Sequence, residues 1–337
     1  MVMEVSDKIL KALDKSLASA DCKKWTEDLL LELVEIDTSP KADVRAMKAN
    51  EDKAYDVIKR EVGQLLGESA SVTFLPIDPR VEAHPAYTPP HYTKTEQNPA
   101  GLTAAQAYAD RGNLLVKRLG ANSGGTGYVL ALNSHVDVVA PHFPGRLEGD
   151  VIFGRGACDA KGAVVAMLLQ MRLLRDLEKA LNIRCNKDVL YQFVTEEEPG
   201  GNGSLSVALD PSLTWDAMLV GEITKLKVHP ANRGALWYKA ELNDAGQAGV
   251  NLVEMAARVV LALEDEGAKI KGESAHPLFP TRPVQTNHGI IGPYGKHPSS
   301  VNDKVTLVVR IPGASEGQIE EVGRQLMPVV TAAVAKY

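Results

Sequence analysis

The chain has 337 residues, of which 45% are hydrophobic and 24% charged, with a formal net charge of −6. This composition is typical of a globular protein long enough for two domains, and the absence of a basic block argues against nucleic acid as a partner. The sequence has no apolar stretch that predicts a membrane span or a signal core, and its three cysteines are widely spaced, so we expect a cytoplasmic protein without a membrane partner.

Helical and strand patterns alternate along the first two thirds of the chain. Apolar residues recurring at three and four predict helices, and short apolar runs bounded by glycines predict buried strands. In chain order the predicted elements are helices over 7–36 and 50–66, a strand over 71–75, a surface loop over 76–98, strands over 113–117 and 128–133, a helix over 161–177, a strand over 189–195, a helix after Asn202 and a strand over 217–220. The alternation predicts an α/β fold with a doubly wound, mostly parallel sheet, in which ligands bind at the carboxyl ends of the strands.

The last third of the chain predicts a smaller α+β unit. Its elements are a strand over 235–242, a helix over 250–264, strands over 284–291 and 304–311, and a helix over 316–334. This order is most of a ferredoxin-like fold, without the final strand. We therefore expect two domains, over 1–226 and 227–337.

A histidine and an aspartate mark the end of the strand over 128–133. His135 and Asp137 are two residues apart, so their side chains leave the same face of an extended chain. Asp137 can then accept a hydrogen bond from one imidazole nitrogen and leave the other nitrogen for a metal ion. A His–Asp pair that only closes the strand explains the same pattern.

Further carboxylates lie at two other strand ends and before a helix. Asp159 precedes the helix over 161–177, where it is either a bridging metal ligand or a helix N-cap. Glu196–Glu198 follow a buried strand, and three adjacent acids repel one another unless cations or other partners neutralise them. A solvated acidic turn is the alternative. Glu222 follows the strand over 217–220, as a metal ligand or a surface residue.

These segments resemble, in order and spacing, the co-catalytic zinc metallopeptidase and amidohydrolase family, which includes acetylornithine deacetylase, succinyl-diaminopimelate desuccinylase and carboxypeptidase G-type enzymes. The matching segments are 133–139, 154–162, 197–201 and 221–224, with weaker similarity at 232–234, 249–251 and 301–303. The resemblance implies a zinc exopeptidase-like catalytic domain followed by a lid or dimerisation domain. It also implies a cis peptide bond after Asp159.

The resemblance implies a site for two zinc ions, for which cobalt or manganese can substitute. His135, Asp159 and Glu222 would hold the first ion, and Asp159 would bridge to a second ion held by Glu198. Two histidines of the family pattern have no counterpart: a C-terminal ligand of the second ion, and a lid histidine expected near 243–248. We therefore expect one complete and one weak metal site, and an incomplete lid domain.

The resemblance also implies residue roles in catalysis. Glu197 would be the general base, Asp137 would orient His135, and Arg233 is a candidate for binding a substrate carboxylate, with a salt bridge at the domain junction as its alternative. The expected activity is hydrolysis of an amide bond in an N-acyl amino acid or short peptide, impaired by the missing histidines. We also expect a homodimer formed through the lid domain.

Two other functions are compatible with the sequence. The first is a non-catalytic, truncated relative that binds zinc and self-associates through the lid-like domain. The second and weaker one is a nucleotide-binding protein that uses the glycine-rich turn over 200–203, although this turn lacks the Gly-Lys-Ser/Thr ending of a phosphate-binding loop.

Overall fold

The computed structural model describes residues 2–123, 130–231, 234–243, 251–273, 291–292, 304–313 and 316–335. The chain divides into two compact units, Met1–Leu226 and Lys227–Tyr337. The assignment of these units as a catalytic domain and a lid or dimerisation domain stays a prediction.

The first unit contains the α/β part of the chain. Its helices and strands are α1 (Val2–Leu17), α2 (Ala20–Glu35), α3 (Val44–Leu66), β1 (Ala70–Pro76), α4 (Ala104–Ala107), β2 (Gly112–Arg118), β3 (Leu130–His135), β4 (Arg146–Glu148), β5 (Val151–Phe153), α5 (Lys161–Leu181), β6 (Val189–Val194), α6 (Asn202–Leu209) and β7 (Ala217–Val220).

Five of the strands described in this unit form one sheet, in the order β1-β2-β6-β3-β7. Strand β3 is parallel to both β6 and β7, whereas β2 is antiparallel to both β1 and β6. Four of these five strands therefore share one direction, which confirms the predicted mostly parallel α/β sheet. The hairpin of β4 and β5 lies outside this sheet and was not predicted, because its strands are only three residues long and largely exposed.

Helices cover both faces of the sheet. On strand β6, Tyr191 and Phe193 point into the core formed with α2, α3 and α5, and Leu190 and Val194 point into the core that includes Val207 of α6. Because side chains alternate between the faces of a strand, a strand buried on both sides shows a continuous apolar run. This is the run that the sequence displays.

Several helix boundaries differ from the prediction, and two of them are set by capping side chains. The single helix expected over 7–36 is interrupted at Ser19, whose side chain accepts a hydrogen bond from the backbone N–H of Cys22 and caps α2. The helix expected from Asn50 begins six residues earlier, at Val44, because the side chain of Asp43 caps its first turn. In both cases a capping side chain sets the boundary, whereas apolar periodicity indicates only that a helix is present.

Lys161, the first residue of α5, is 1% exposed and ties two helices together. Its ammonium group donates hydrogen bonds to the carbonyl oxygens of Leu33 (2.9 Å) and Ile36 (2.5 Å), at the end of α2. Burial lowers the pKa of Lys161 to about 8, although the negative charges of Asp37 and Asp137 act in the opposite direction. This contact fixes the loop that precedes α5 against the core.

We expect Lys161→Met to lower the free energy of unfolding by about 2 kcal/mol, because it leaves two carbonyl oxygens without their donor while conserving most of the side-chain volume. Urea denaturation measures the change. Lys179→Met is the matched control, because Lys179 is an exposed residue near the end of the same helix. Equal stability of the two variants would contradict a structural role for the Lys161 contact.

The second unit contains the α+β part of the chain. Its elements are β8 (Gly234–Asn243), α7 (Leu252–Glu273), β9 (Ile291–Gly292), β10 (Lys304–Gly313) and α8 (Glu316–Ala335). The described strands form an antiparallel sheet in the order β8-β10-β9, and α7 and α8 pack through Val259, Leu263 and Leu326. Most of the strand predicted over 284–291, and the interval over 244–248, lie outside the described residues.

No helix in the described part of the chain is both long enough and apolar enough to span a membrane.

Candidate metal centre

The candidate metal ligands are brought together by the register of three parallel strands. His135, the last residue of β3, pairs with Val194 at the end of β6, and Asn133 pairs with Val220 at the end of β7. The segments that follow β6 and β7 therefore emerge beside His135. They carry Glu196–Glu198 and Glu222, so the predicted position at the carboxyl edge of the sheet is confirmed.

His135 presents one ring nitrogen to a group of carboxylates. The imidazole is 1% exposed, and its Nδ1 lies 2.9 Å from the carbonyl oxygen of Asp137. A carbonyl oxygen can only accept, so Nδ1 carries a proton and Nε2 faces the carboxylates. Burial lowers the pKa of His135, but its contacts with Asp137, Asp159 and Glu222 raise that pKa well above its ordinary value, so a metal ion at Nε2 would take the place of a proton. Nε2 lies 3.2 Å from Asp159 Oδ1, 3.4 Å from Glu222 Oε1 and 3.8 Å from Glu197 Oε2.

Three of these side chains fit a metal ion. Ligand atoms of His135, Asp159 and Glu222 all lie within 4.8 Å of one another. Among the described residues, Glu198 falls outside this group. One imidazole and two carboxylates are the donor set of a catalytic zinc site that leaves a coordination position open.

The charges around His135 also favour a cation. Burial raises the pKa of Glu198 to about 7, and the negative charges of Asp159 and Asp137 add to this effect. Burial likewise raises the pKa of Glu197; the positive charge of His135 opposes this effect, and the negative charges of Asp137 and Glu222 add to it. These carboxylates are held close enough to disfavour one another's ionisation, and a cation between them removes that repulsion.

The position of Asp159 excludes one of the two interpretations of this residue. The N-cap of α5 is Ala160, which has no side chain able to cap the helix, so Asp159 is not a helix cap. The peptide bond between Asp159 and Ala160 is cis, as the resemblance implies. The carboxylate contacts His135 instead, and its role as a metal ligand stays a prediction.

Asp137 has a different partner from the one predicted. We expected its carboxylate to orient His135, but that carboxylate lies 3.5 Å from Nδ1, farther than its own carbonyl oxygen. Its two carboxylate oxygens accept hydrogen bonds from the backbone N–H groups of Glu197 (3.2 Å) and Glu198 (3.0 Å). Asp137 therefore orients the imidazole through its backbone carbonyl oxygen. Its side chain holds the segment Glu196–Glu198, which is called the glutamate segment below.

Sequence reasoning missed a buried ionic network beside this centre. Arg111 pairs with Glu51 and Glu196, and the hydroxyl groups of Tyr92 and Tyr108 donate to Glu196. Burial raises the pKa of Glu196, although Arg111 opposes this effect. The Arg111 pairs join residues 60 and 85 positions apart, so no local pattern indicates them.

Tyr92 lies in the loop over 76–98, which was predicted at the surface. The loop contains two short 3₁₀ turns and buries Val81 and Thr93, so it is partly packed against the unit. Within this loop, the hydroxyl of Tyr92 points to Glu196. Arg233, the candidate for binding a substrate carboxylate, lies outside the described residues.

Comparison with known proteins identifies similar chains. Residues 131–307, more than half of the chain, match the family model described as peptidase family M20/M25/M40. A peptidase M20 domain-containing protein of Schizosaccharomyces pombe is 32% identical over 142 residues, which cover 40% of this chain and 34% of that protein. A putative [LysW]-lysine/[LysW]-ornithine hydrolase of Pyrobaculum aerophilum is 29% identical over 196 residues, covering 57% and 53% of the two chains. The chain thus spans about half or less of the length of these two curated relatives.

The solved structures show the same fold. The crystal structure of human carnosine dipeptidase 1 superimposes with a TM-score of 0.60 at 15% sequence identity, over 98% of this chain and 77% of that chain. At this identity the likeness concerns the fold alone. The family model, which covers the segments that carry His135, Asp159, Glu196–Glu198 and Glu222, shows that the chain belongs to peptidase family M20/M25/M40.

Proposed function

We propose that this chain is a zinc-dependent hydrolase of amide bonds, acting on an N-acyl amino acid or a short peptide. One observation carries the proposal: Nε2 of His135 faces Asp159 and Glu222 at 3.2 and 3.4 Å, with Glu197 at the border of the same group. His135, Asp159 and Glu222 would hold one ion, and Asp159 and Glu198 would hold a second. Cobalt or manganese are alternative metals for these ligands.

Glu197 acts as the general base. Its carboxylate reaches within 3.8 Å of His135 Nε2, and its side chain is 44% exposed, so water has access to it. The carboxylate accepts a proton from the attacking water and returns it to the amine that leaves. A bound zinc ion supplies Lewis acidity, which lowers the pKa of water and polarises the carbonyl group of the substrate. Asp137 keeps Glu197 in place through the backbone N–H of that residue.

The named relatives support hydrolysis over the non-catalytic alternative. One curated relative is called a putative [LysW]-lysine/[LysW]-ornithine hydrolase, and another is called a probable carboxypeptidase. Arg233 belongs to the proposal as a residue that binds a substrate carboxylate. A cytoplasmic location and a homodimer formed through the second unit are further parts of the proposal, supported by the sequence features given above.

The experiment combines metal removal with a substrate panel. The full chain is assayed against N-acetyl, N-succinyl and N-formyl amino acids and against dipeptides, before and after dialysis with a chelator. We expect hydrolysis of at least one class, its loss by more than about 100-fold on metal removal, and its return with Zn²⁺ or Co²⁺. Hydrolysis that persists in a chain verified to be metal-free would overturn the zinc-dependent mechanism.

A further inference from the structure

The guanidinium group of Arg111 lies beside the segment that carries the proposed base. The side chain is fully buried, and it contacts Glu51 through Nη2 at 2.6 Å and Nε at 3.1 Å. The same Nη2 contacts Glu196 Oε1 at 2.5 Å, and Nη1 donates to the hydroxyl oxygen of Tyr92 at 2.9 Å. A cation buried this deeply is tolerated because each of its three nitrogen atoms has a hydrogen-bond partner.

Glu196 uses both carboxylate oxygens within this network. Oε1 accepts hydrogen bonds from Arg111 and from the hydroxyl of Tyr92 at 2.7 Å, and Oε2 accepts from the hydroxyl of Tyr108 at 3.1 Å. The residue is 1% exposed and sits between β6 and Glu197. Of the three adjacent glutamates, Glu196 is thus the one whose carboxylate is held by buried side chains.

The backbone at Glu196 requires such an anchor. Its φ of +63° is in the left-handed region, a backbone conformation that residues other than glycine rarely adopt. This turn directs the chain away from β6, and the carbonyl oxygen of Glu196 accepts a hydrogen bond from the N–H of Gly201 at 2.7 Å. The direction in which Glu197 and Glu198 leave the strand therefore depends on how Glu196 is held.

The glutamate segment is fixed from two sides. Asp137 accepts hydrogen bonds from the N–H groups of Glu197 and Glu198 on the side of the metal centre. The Arg111 network holds Glu196, and it also holds the residue before it, because Thr195 donates its hydroxyl proton to Glu51 at 2.6 Å. Two successive residues before Glu197 are thus tied to one buried cluster.

We propose that Arg111, with Tyr92 and Tyr108, positions the glutamate segment for catalysis, by holding Glu196 so that Glu197 and Glu198 face the metal centre. The inference rests on the proposed function for the roles of Glu197 and Glu198. Arg111 itself touches neither His135 nor the other proposed ligands among the contacts described, so it acts as a positioning residue.

The test uses mild variants, because Arg111→Ala would leave two buried carboxylates without their cation and is expected not to fold. Tyr92→Phe removes one hydroxyl from Glu196, and the double variant Tyr92→Phe/Tyr108→Phe removes both. Tyr191→Phe is the matched control, because Tyr191 is buried on β6 and its hydroxyl bonds to Gln170 instead. Each variant is measured for melting temperature, for Co²⁺ affinity by calorimetry, and for kcat and KM.

We expect Tyr92→Phe to lower kcat and Co²⁺ affinity about tenfold each, with KM within about twofold of the wild type, and the double variant to lower them further. The control changes neither quantity. Variants whose kcat and Co²⁺ affinity match those of Tyr191→Phe, with only the melting temperature lowered, would show a purely structural network and overturn the inference. If the wild type binds Co²⁺ but hydrolyses no substrate, the proposed function fails, and the Co²⁺ affinities alone decide the positioning role.

Discussion

Glu197→Gln is expected to lower kcat by about 10²–10⁴-fold while the chain keeps its fold and its metal affinity. The substitution is isosteric, so the backbone N–H of residue 197 still donates to Asp137 and the segment keeps its course. A carboxamide cannot accept the proton of water as a carboxylate does, so the loss falls on the chemical step. His135, Asp159 and Glu222 are unchanged, and metal binding persists because these residues form the group that fits one ion.

Two measurements separate the possible roles of Glu197. Hydrolysis of the best substrate in the panel gives kcat, and calorimetric titration with Co²⁺ gives the metal affinity of the same preparation. Glu68→Gln is the control, because Glu68 is exposed and lies in the turn after α3. Unchanged hydrolysis in Glu197→Gln would remove the general-base assignment. A parallel loss of Co²⁺ binding would instead make Glu197 a metal ligand.

The strand ends of the candidate site could be predicted from the sequence for a physical reason. A parallel strand buried on both faces shows a continuous apolar run, and its carboxyl end is where polar residues resume. His135 and Glu196–Glu198 follow such runs. Strand β7, which precedes Glu222, is also an apolar run, although its residues are exposed in the structure. Parallel pairing then brings these ends to one edge, so local patterns were sufficient to indicate a three-dimensional cluster.

The buried ionic network around Arg111 could not be predicted in this way. Arg111 meets Glu51 and Glu196 across 60 and 85 residues of chain, and nothing in the neighbourhood of Arg111 distinguishes it from a surface arginine at the start of a strand. The partner of Asp137 was missed for a related reason. Spacing shows that two side chains share a face, but the choice between a backbone and a side-chain acceptor depends on the turn that follows.

Helix boundaries, too, could not be predicted from apolar periodicity alone. Apolar periodicity runs through Ser19 without interruption, so a single helix was the natural prediction over 7–36. At the break, the side chain of Ser19 accepts a hydrogen bond from the backbone N–H of Cys22 and caps α2, so α1 and α2 are separate helices. Capping therefore has to be weighed beside periodicity where a serine or aspartate interrupts a long pattern.

His135→Ala is expected to abolish tight metal binding and hydrolysis together. Loss of an outer partner of a metal ligand already costs about 10–100-fold in affinity, so loss of the imidazole is expected to cost more than about 100-fold. At a Zn²⁺ concentration of 100 times the wild-type Kd, binding stabilises the wild type by about 2.7 kcal/mol, and a 100-fold weaker variant by only about 0.4 kcal/mol. Urea denaturation with and without Zn²⁺ measures this difference within each protein, so any instability of the metal-free variant cancels.

His91→Ala is the control for this comparison, since His91 is an exposed histidine of the first unit that does not belong to the group of His135, Asp159 and Glu222. It should keep the full stabilisation by Zn²⁺. If His135→Ala were stabilised by Zn²⁺ as strongly as the wild type, the ion would have to bind elsewhere, and both the ligand set and the mechanism built on it would fall.

Asp159→Asn extends the test, because Asp159 is proposed to contribute to both metal positions. Its loss should reduce stabilisation by Zn²⁺ at least as much as that of His135, whereas a smaller effect would contradict a bridging role.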